Sequence, residues 1–249
     1  MITKLEEAAK LAPFDILAFG PHPDDVEAGC SGLLINSVRR GYSVAICDLT
    51  RGELSTNGTV EERQREALKA AGIIGAKARV NTGLPNNFLF NTEEHQRAVI
   101  RVLRTLRPRM VLLPETFDRH PDHENAPKII RDAIFTSGLH RYEVDDLPAF
   151  RPTHAFAYPL WYEGETSFIV DVSEAWEKKL EALYAHESQF TLREGSVATI
   201  DTSDSARAYL EAQGRRWGFM IGRTYGEAYR SIYLPVGADD PLTFLPNVV

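Results

Sequence analysis

Phe14-Asp15-Ile16-Leu17-Ala18-Phe19-Gly20-Pro21-His22-Pro23-Asp24-Asp25-Val26-Glu27 decides how the rest of the chain is read. Its first half is a short apolar run that stops at Gly-Pro, the pattern of a buried strand. Its second half is polar and leads into residues 28–40, where apolar side chains recur at helical spacing up to Gly41, a suitable C-terminal cap. A buried strand, a polar loop and a helix in that order open a βαβ unit.

The pattern repeats outward. Residues 42–49 are β-branched and apolar and read as the second strand. A polar loop over 50–59 leads to a helix over 60–74 with an acidic start. Residues 79–81 read as a third strand, Thr92 caps a helix that runs to Leu106, and Met110–Pro114 is a fourth strand. Further helices are expected over 125–135, from the Ser173 cap to about 187, and over 203–222; strands are expected over 154–161 and 167–172; the tail 238–249 reads as irregular. Strands alternating with helices at this spacing predict an α/β fold: a Rossmann-like three-layer sandwich with a mostly parallel sheet and right-handed crossovers. No repeat or composition break marks a second domain, so residues 1–249 are read as one domain.

Composition narrows the partners. The chain has 28 Lys+Arg against 35 Asp+Glu, a net charge of -7, which speaks against nucleic acid or an anionic membrane as partner. No apolar run approaches the ~20 residues of a membrane span, and the first residues lack the apolar core of a signal peptide. Two cysteines without CxxC spacing make a reducing, cytoplasmic setting the expectation.

In an open α/β sheet, ligands bind beyond the carboxyl ends of the strands. His22-Pro23-Asp24-Asp25 follows the first strand, and His120-Pro121-Asp122-His123 follows the fourth, with Glu115, Asp118 and Arg119 just before it. One such cluster is compatible with plain turn and cap chemistry. Two on the same sheet edge point to a shared site. Three of the seven histidines stand there; His95, His140, His154 and His186 are scattered singly. Three His or carboxylate ligands with a fourth position left to water is the donor set of a catalytic zinc site. His22, Asp25 and one histidine of the second cluster could fill it, leaving a carboxylate as proton acceptor and a histidine to stabilise an oxyanion. Spacing alone does not say which aspartate is ligand and which is base. The competing class, a non-catalytic nucleotide- or sugar-binding domain, lacks the GxGxxG expected after strand one.

At these residues the chain resembles the LmbE-like, or PIG-L, family of zinc-dependent N-acetylglucosaminyl deacetylases. The family's (A/P)HPDD(E/V) motif stands at 21–26 and its HPDH motif at 120–123, with Pro21 where many members have Ala. The stretches ILAFGPHPDDVEAGCSG, ICDLTRGELSTNGTVEER, DRHPDHENA and YAHESQF look most like the branch that deacetylates N-acetylglucosaminyl-malate in bacillithiol biosynthesis. The similarity spans about 15–229. It implies an amidohydrolase with zinc on His22, Asp25 and His123, a donor set whose chemistry also accepts another divalent ion such as Fe2+. Asp24 would be the general base, and His120 the oxyanion stabiliser, with Asp122 orienting its imidazole. It implies substrate contacts from Arg119 and Arg63, with Arg51 as a further candidate, each competing with a plain surface ion pair. A pocket tyrosine is expected from the C-terminal half, where Tyr209 and Tyr225 compete and Tyr225 is carried forward. The small-molecule substrate would be a GlcNAc conjugate, with a mycothiol-type conjugate or a chitooligosaccharide as alternatives, and the assembly a homo-oligomer, trimer or hexamer.

Overall fold

The computed structural model describes residues 1–233, so the expectation for the tail 238–249 lies outside the described residues. The strands are β1 (Ile16–Gly20), β2 (Val44–Asp48), β3 (Ala78–Asn81), β4 (Met110–Pro114), β5 (His154–Tyr158), β6 (Phe168–Asp171) and β7 (Gly226–Ser231). They form one sheet in the order β3-β2-β1-β4-β5-β7-β6. The first five are parallel, and β7 runs antiparallel to both β5 and β6. The helices are α1 (Leu5–Ala8), α2 (Asp25–Arg39), α3 (Val60–Ile74), α4 (Glu93–Leu106), α5 (Pro121–Ser137), α6 (Trp176–Tyr184), α7 (Glu187–Phe190) and α8 (Asp204–Met220).

Alternation along the buried strands makes the layers. Leu17 and Phe19 of β1 face a core shared with α4 and α5, while Ile16 and Ala18 face a second core shared with α2, α3 and α6. The chain leaves β1 towards β2 and β3, then returns to add β4 on the other side of β1. That reversal opens a crevice at the carboxyl ends of β1 and β4. Among the described residues no helix is long and apolar enough to cross a membrane.

The Thr92 cap anticipated from sequence is present, and two further helices start in the same way. Thr59, Thr92 and Ser203 accept from Glu62, His95 and Ala206 backbone N–H groups at 3.1–3.3 Å. Four features differ from the reading above. Helix α5 begins at Pro121, not at 125, because Pro suits the first helical position and His120 acts as the cap. Helix α2 likewise starts at Asp25 rather than 28, so both His-Pro-Asp motifs run into a first helical turn. The helix expected from a Ser173 cap to 187 starts instead at Trp176, because the Ser173 hydroxyl donates back to Asp171 at 2.7 Å and caps nothing. It also breaks at Ala185–His186, where no Gly or Pro signals it and His186 turns into the interior. Strand β7 carries Glu227 and Arg230 and so lacks an apolar signature; Glu227 is buried, accepting from the Gly32 and Leu33 N–H groups and pairing with Lys179 at 2.6 Å.

Under the crevice lies a buried charge group. Arg79 of β3 donates through Nε and Nη2 to the two oxygens of Asp48, the last residue of β2, at 2.7 and 2.8 Å. Its Nη1 donates to Glu27 in α2 and, at 3.0 Å, to the Ala67 carbonyl in α3. All three charged side chains are buried, and the His186 ring lies 3.5 Å from Glu27. Burial would raise the Glu27 carboxyl, but Arg79 and His186 hold it down at about 2.

Removing one member of such a group strands the others without a counter-charge. Arg79→Met is expected to lower unfolding stability by about 3–5 kcal/mol, read from urea denaturation; a change within measurement error would show the group to be dispensable. The group also gives stability a sign with pH. Glu27 titrates lower in the fold than its usual 4.5, so its contribution is present above about 4.5 and is lost as pH falls towards about 2. Circular dichroism over that window should show a shallower acid limb in Glu27→Gln than in wild type.

Candidate active site

The two motif turns meet at the crevice. Past Gly20 the chain turns sharply, and Asp24 takes a φ of 132°, a conformation that side chains with a Cβ rarely adopt. The His22 N–H donates to Asp25 Oδ2 at 2.8 Å, closing the turn. From the β4 side, the His120 ring caps α5 and places His123 in its first turn.

Three donors converge. His22 Nδ1 lies 3.2 Å from Asp25 Oδ2 and 3.2 Å from His123 Nε2, and His123 Nε2 lies 3.3 Å from Asp25 Oδ1. A tetrahedral ion with bonds of 2.0–2.1 Å needs donors about 3.3–3.4 Å apart. The two histidine nitrogens stand at about that spacing, and Asp25 reaches them with different oxygens, Oδ2 towards His22 and Oδ1 towards His123. His120 joins His22 and His123 in a trio whose ligand atoms lie within 4.8 Å of one another. Asp25 adjoins this trio, and the His120 ring stands 4.7 and 4.9 Å from those of His22 and His123.

The far nitrogens of the two converging histidines are both held by carboxylates. His22 Nε2 meets Asp122 at 3.1 Å, and His123 Nδ1 meets Asp118 at 2.9 Å. Carboxylates in that place fix ring orientation and tautomer at metal sites. The Asp122 carboxylate thus serves His22, not His120 as the resemblance implied. It is itself held by the Asn87 and Leu89 N–H groups at 2.6 and 3.1 Å, which leaves it turned away from His120. What His120 receives is the Asp122 backbone N–H, donated to its Nδ1 at 3.1 Å. An accepting Nδ1 leaves the proton of the neutral ring on Nε2.

Charge follows the contacts. Burial would depress His123, but Asp25 and Asp118 hold it up at about 10. Burial, His22 and His123 push His120 down to about 4, so it is a neutral donor rather than an imidazolium. Burial pushes Asp24 up to about 6 against the pull of Arg63, which donates to it at 2.9 Å. Asp25 stays well below the usual carboxylate range, since His123 and His22 outweigh its burial.

A cavity of about 280 Å³ is lined by Asp24, His22 and His123 together with Leu183, Tyr184 and Leu210. Arg63 lines it but is buried and also donates to the Pro23 carbonyl. It therefore holds the Asp24 turn as much as it faces the cavity. Gly52 lets it do so: Gly52 has a φ of 67°, and a Cβ there would run into the guanidinium. Arg119 lines the cavity with its guanidinium 3.9 Å from the centre of the Trp161 ring and 3.7 Å from Asp201. Arg51 is exposed and outside the cavity lining. Tyr225 is also outside it, stacked on Trp176 at 4.2 Å in the second core; the tyrosines of the lining are Tyr209 and Tyr184.

Asp118, Trp161, Tyr184, Asp201 and Arg207 had no assigned role from sequence. Asp118 was in view as a strand-end carboxylate, and Tyr184 opens the YAHESQF stretch. The others sit in the irregular second half, where no period singles them out. That wall is tied to the first half by Asn57, whose amide both donates to and accepts from the Val197 backbone at 2.8 and 2.9 Å.

Fold and site together define an open α/β protein with a histidine–carboxylate centre at its topological switch point. Residues 17–134 match the PIG-L family, described as GlcNAc-PI de-N-acetylase. The chain is 29% identical over 228 residues to a diacetylchitobiose deacetylase of Thermococcus kodakarensis, covering 87% of this chain and 82% of that one. It is 28% identical to a probable N-acetyl-alpha-D-glucosaminyl L-malate deacetylase 2 of Bacillus anthracis, covering 72% and 82%. Its structure superposes on a conserved protein of Thermus thermophilus with a TM-score of 0.82 at 34% identity, covering 90% and 97%. The chain belongs to the PIG-L family.

The carboxylates behind the two histidines give a test of the site. Asp118→Asn and Asp122→Asn should each weaken divalent-metal affinity by roughly 10–100-fold, measured by competition with a chromogenic chelator. Unaltered affinity in both would show that these contacts only support packing.

Proposed function

We propose that the protein is a metal-dependent amidohydrolase that removes the N-acetyl group of a GlcNAc conjugate and releases acetate. The observation that carries this reading is the convergence of His22, His123 and Asp25, with Asp24 and His120 in the same cavity lining. Zinc is the proposed ion, and the His-Asp-His set would also suit Fe2+. Bound there, the ion would supply Lewis-acid polarisation of the amide carbonyl and a more acidic water.

The chain's own groups do the rest. Asp24, held up at about 6, takes the proton of the attacking water and passes it to the departing amine nitrogen. His120 directs its Nε2–H at the oxygen that becomes negative as the carbonyl carbon turns tetrahedral. As a neutral donor it stabilises that charge without having to gain a proton first. Arg63 keeps the Asp24 carboxylate in place.

The finer substrate proposal is N-acetylglucosaminyl-malate, in keeping with the second relative and with the motif stretches that point to that branch. A second reading, a chitooligosaccharide, draws support from the first relative and from Trp161 and Tyr209, whose rings stack 5.9 Å apart in the lining as a face for a second sugar.

Asp24→Asn should retain stoichiometric metal yet lose roughly 10²–10⁴-fold in turnover. Full activity in that variant would sink the base assignment. Acetate release compared across GlcNAc, diacetylchitobiose and GlcNAc-malate separates the two substrate readings, and no release from any of them would overturn the reaction itself.

A further inference from the structure

Cationic side chains in the cavity differ in what they have left to give. Arg63 is committed to Asp24 and the Pro23 carbonyl, and Arg119 to Asp201 and the Trp161 face. Arg207 also lines the cavity, one turn into α8, and among the described residues it makes no ion pair. Its guanidinium stands 5.5 Å from the centre of the Tyr184 ring, in cation–π range, which steadies the side chain while leaving its N–H donors free. Leu183 and Leu210 line the same cavity.

We propose that Arg207 is a specificity-determining residue that binds a carboxylate on the aglycone of the substrate. The inference rests on the deacetylase reading given above and adds the side chain that selects an acidic conjugate over a neutral one. The guanidinium fork matches a carboxylate through two parallel N–H···O bonds, which a neutral aglycone cannot reproduce. Arg207 was not singled out by the motifs, because it lies among ordinary surface-helix residues.

The test compares wild type, Arg207→Met and Arg207→Lys on GlcNAc-malate and on the neutral methyl N-acetylglucosaminide. The preference for the acidic substrate, taken as the ratio of the two kcat/KM values, should fall roughly 10–100-fold in Arg207→Met. The loss should reside in KM rather than kcat, and Arg207→Lys should recover part of it. An unchanged ratio would overturn the inference. If wild type hydrolyses neither substrate, the reaction reading fails, and calorimetric binding of glucosaminyl-malate still decides Arg207: a weaker affinity in Arg207→Met supports the inference, and equal affinity overturns it.

Discussion

One buried guanidinium ties together the elements on one side of the working edge of the sheet. Arg79 grips Asp48 at the end of β2, Glu27 in the first turn of α2 and a carbonyl of α3. These elements lie on one side of the crevice, and Glu27 is two residues from Asp25. Burying a charge in this way is costly unless every partner is present. The cost is offset here by a bidentate pair and a second carboxylate, so the arrangement tolerates little drift. The first turn of α2 is thereby fixed in rotation, and with it the direction in which Asp24 and Asp25 face.

The centre itself is assembled from two helix N-termini brought side by side by the topology. Asp25 and His123 each stand in a first turn, where unpaired N–H groups and the helix dipole favour negative charge. The carboxylates crowded at this place, Asp24, Asp25, Asp118 and Asp122, are thus partly compensated before any ligand arrives. What remains is handled locally: Arg63 faces Asp24, His22 faces Asp122, and His123 lies between Asp25 and Asp118. The strained φ of Asp24 fits the same scheme. The turn must present two consecutive carboxylates in different directions, Asp25 towards His22 and His123 and Asp24 towards Arg63.

Strands β1 to β4 and their helices were legible because each couples a short apolar run to an amphipathic segment with a clear cap or stop. The motif residues were legible because the site rule names the strand ends in advance. The misplacements share a cause. A histidine cap has no place among the usual Ser, Thr, Asp and Asn signals, so α5 was expected four residues late. The burial of Glu227 in β7 depends on Lys179 and on two N–H groups of α2, nearly two hundred residues away in sequence. The partner of Asp122 was open to either neighbouring histidine, and the Asn87 and Leu89 N–H groups that decide it come from the loop after β3. Tyr209 lines the cavity from α8 while Tyr225, just ahead of β7, stacks on Trp176, and local pattern in the second half carries no such information.

The side-chain amide of Asn57 spans the seam between the two halves of the chain, pairing with Val197 much as a neighbouring strand would. Behind that seam the segment from Phe190 to Asp201 carries part of the cavity wall but none of the converging donors. The same segment is fastened at two further points, by Arg193 on Glu62 at 2.8 Å and by Asp201 beside Arg119 at 3.7 Å. A change of length between Asn57's partner and α8 would therefore pull first on the Asp201–Arg119 contact at the rim, several contacts removed from the histidines and carboxylates beneath it.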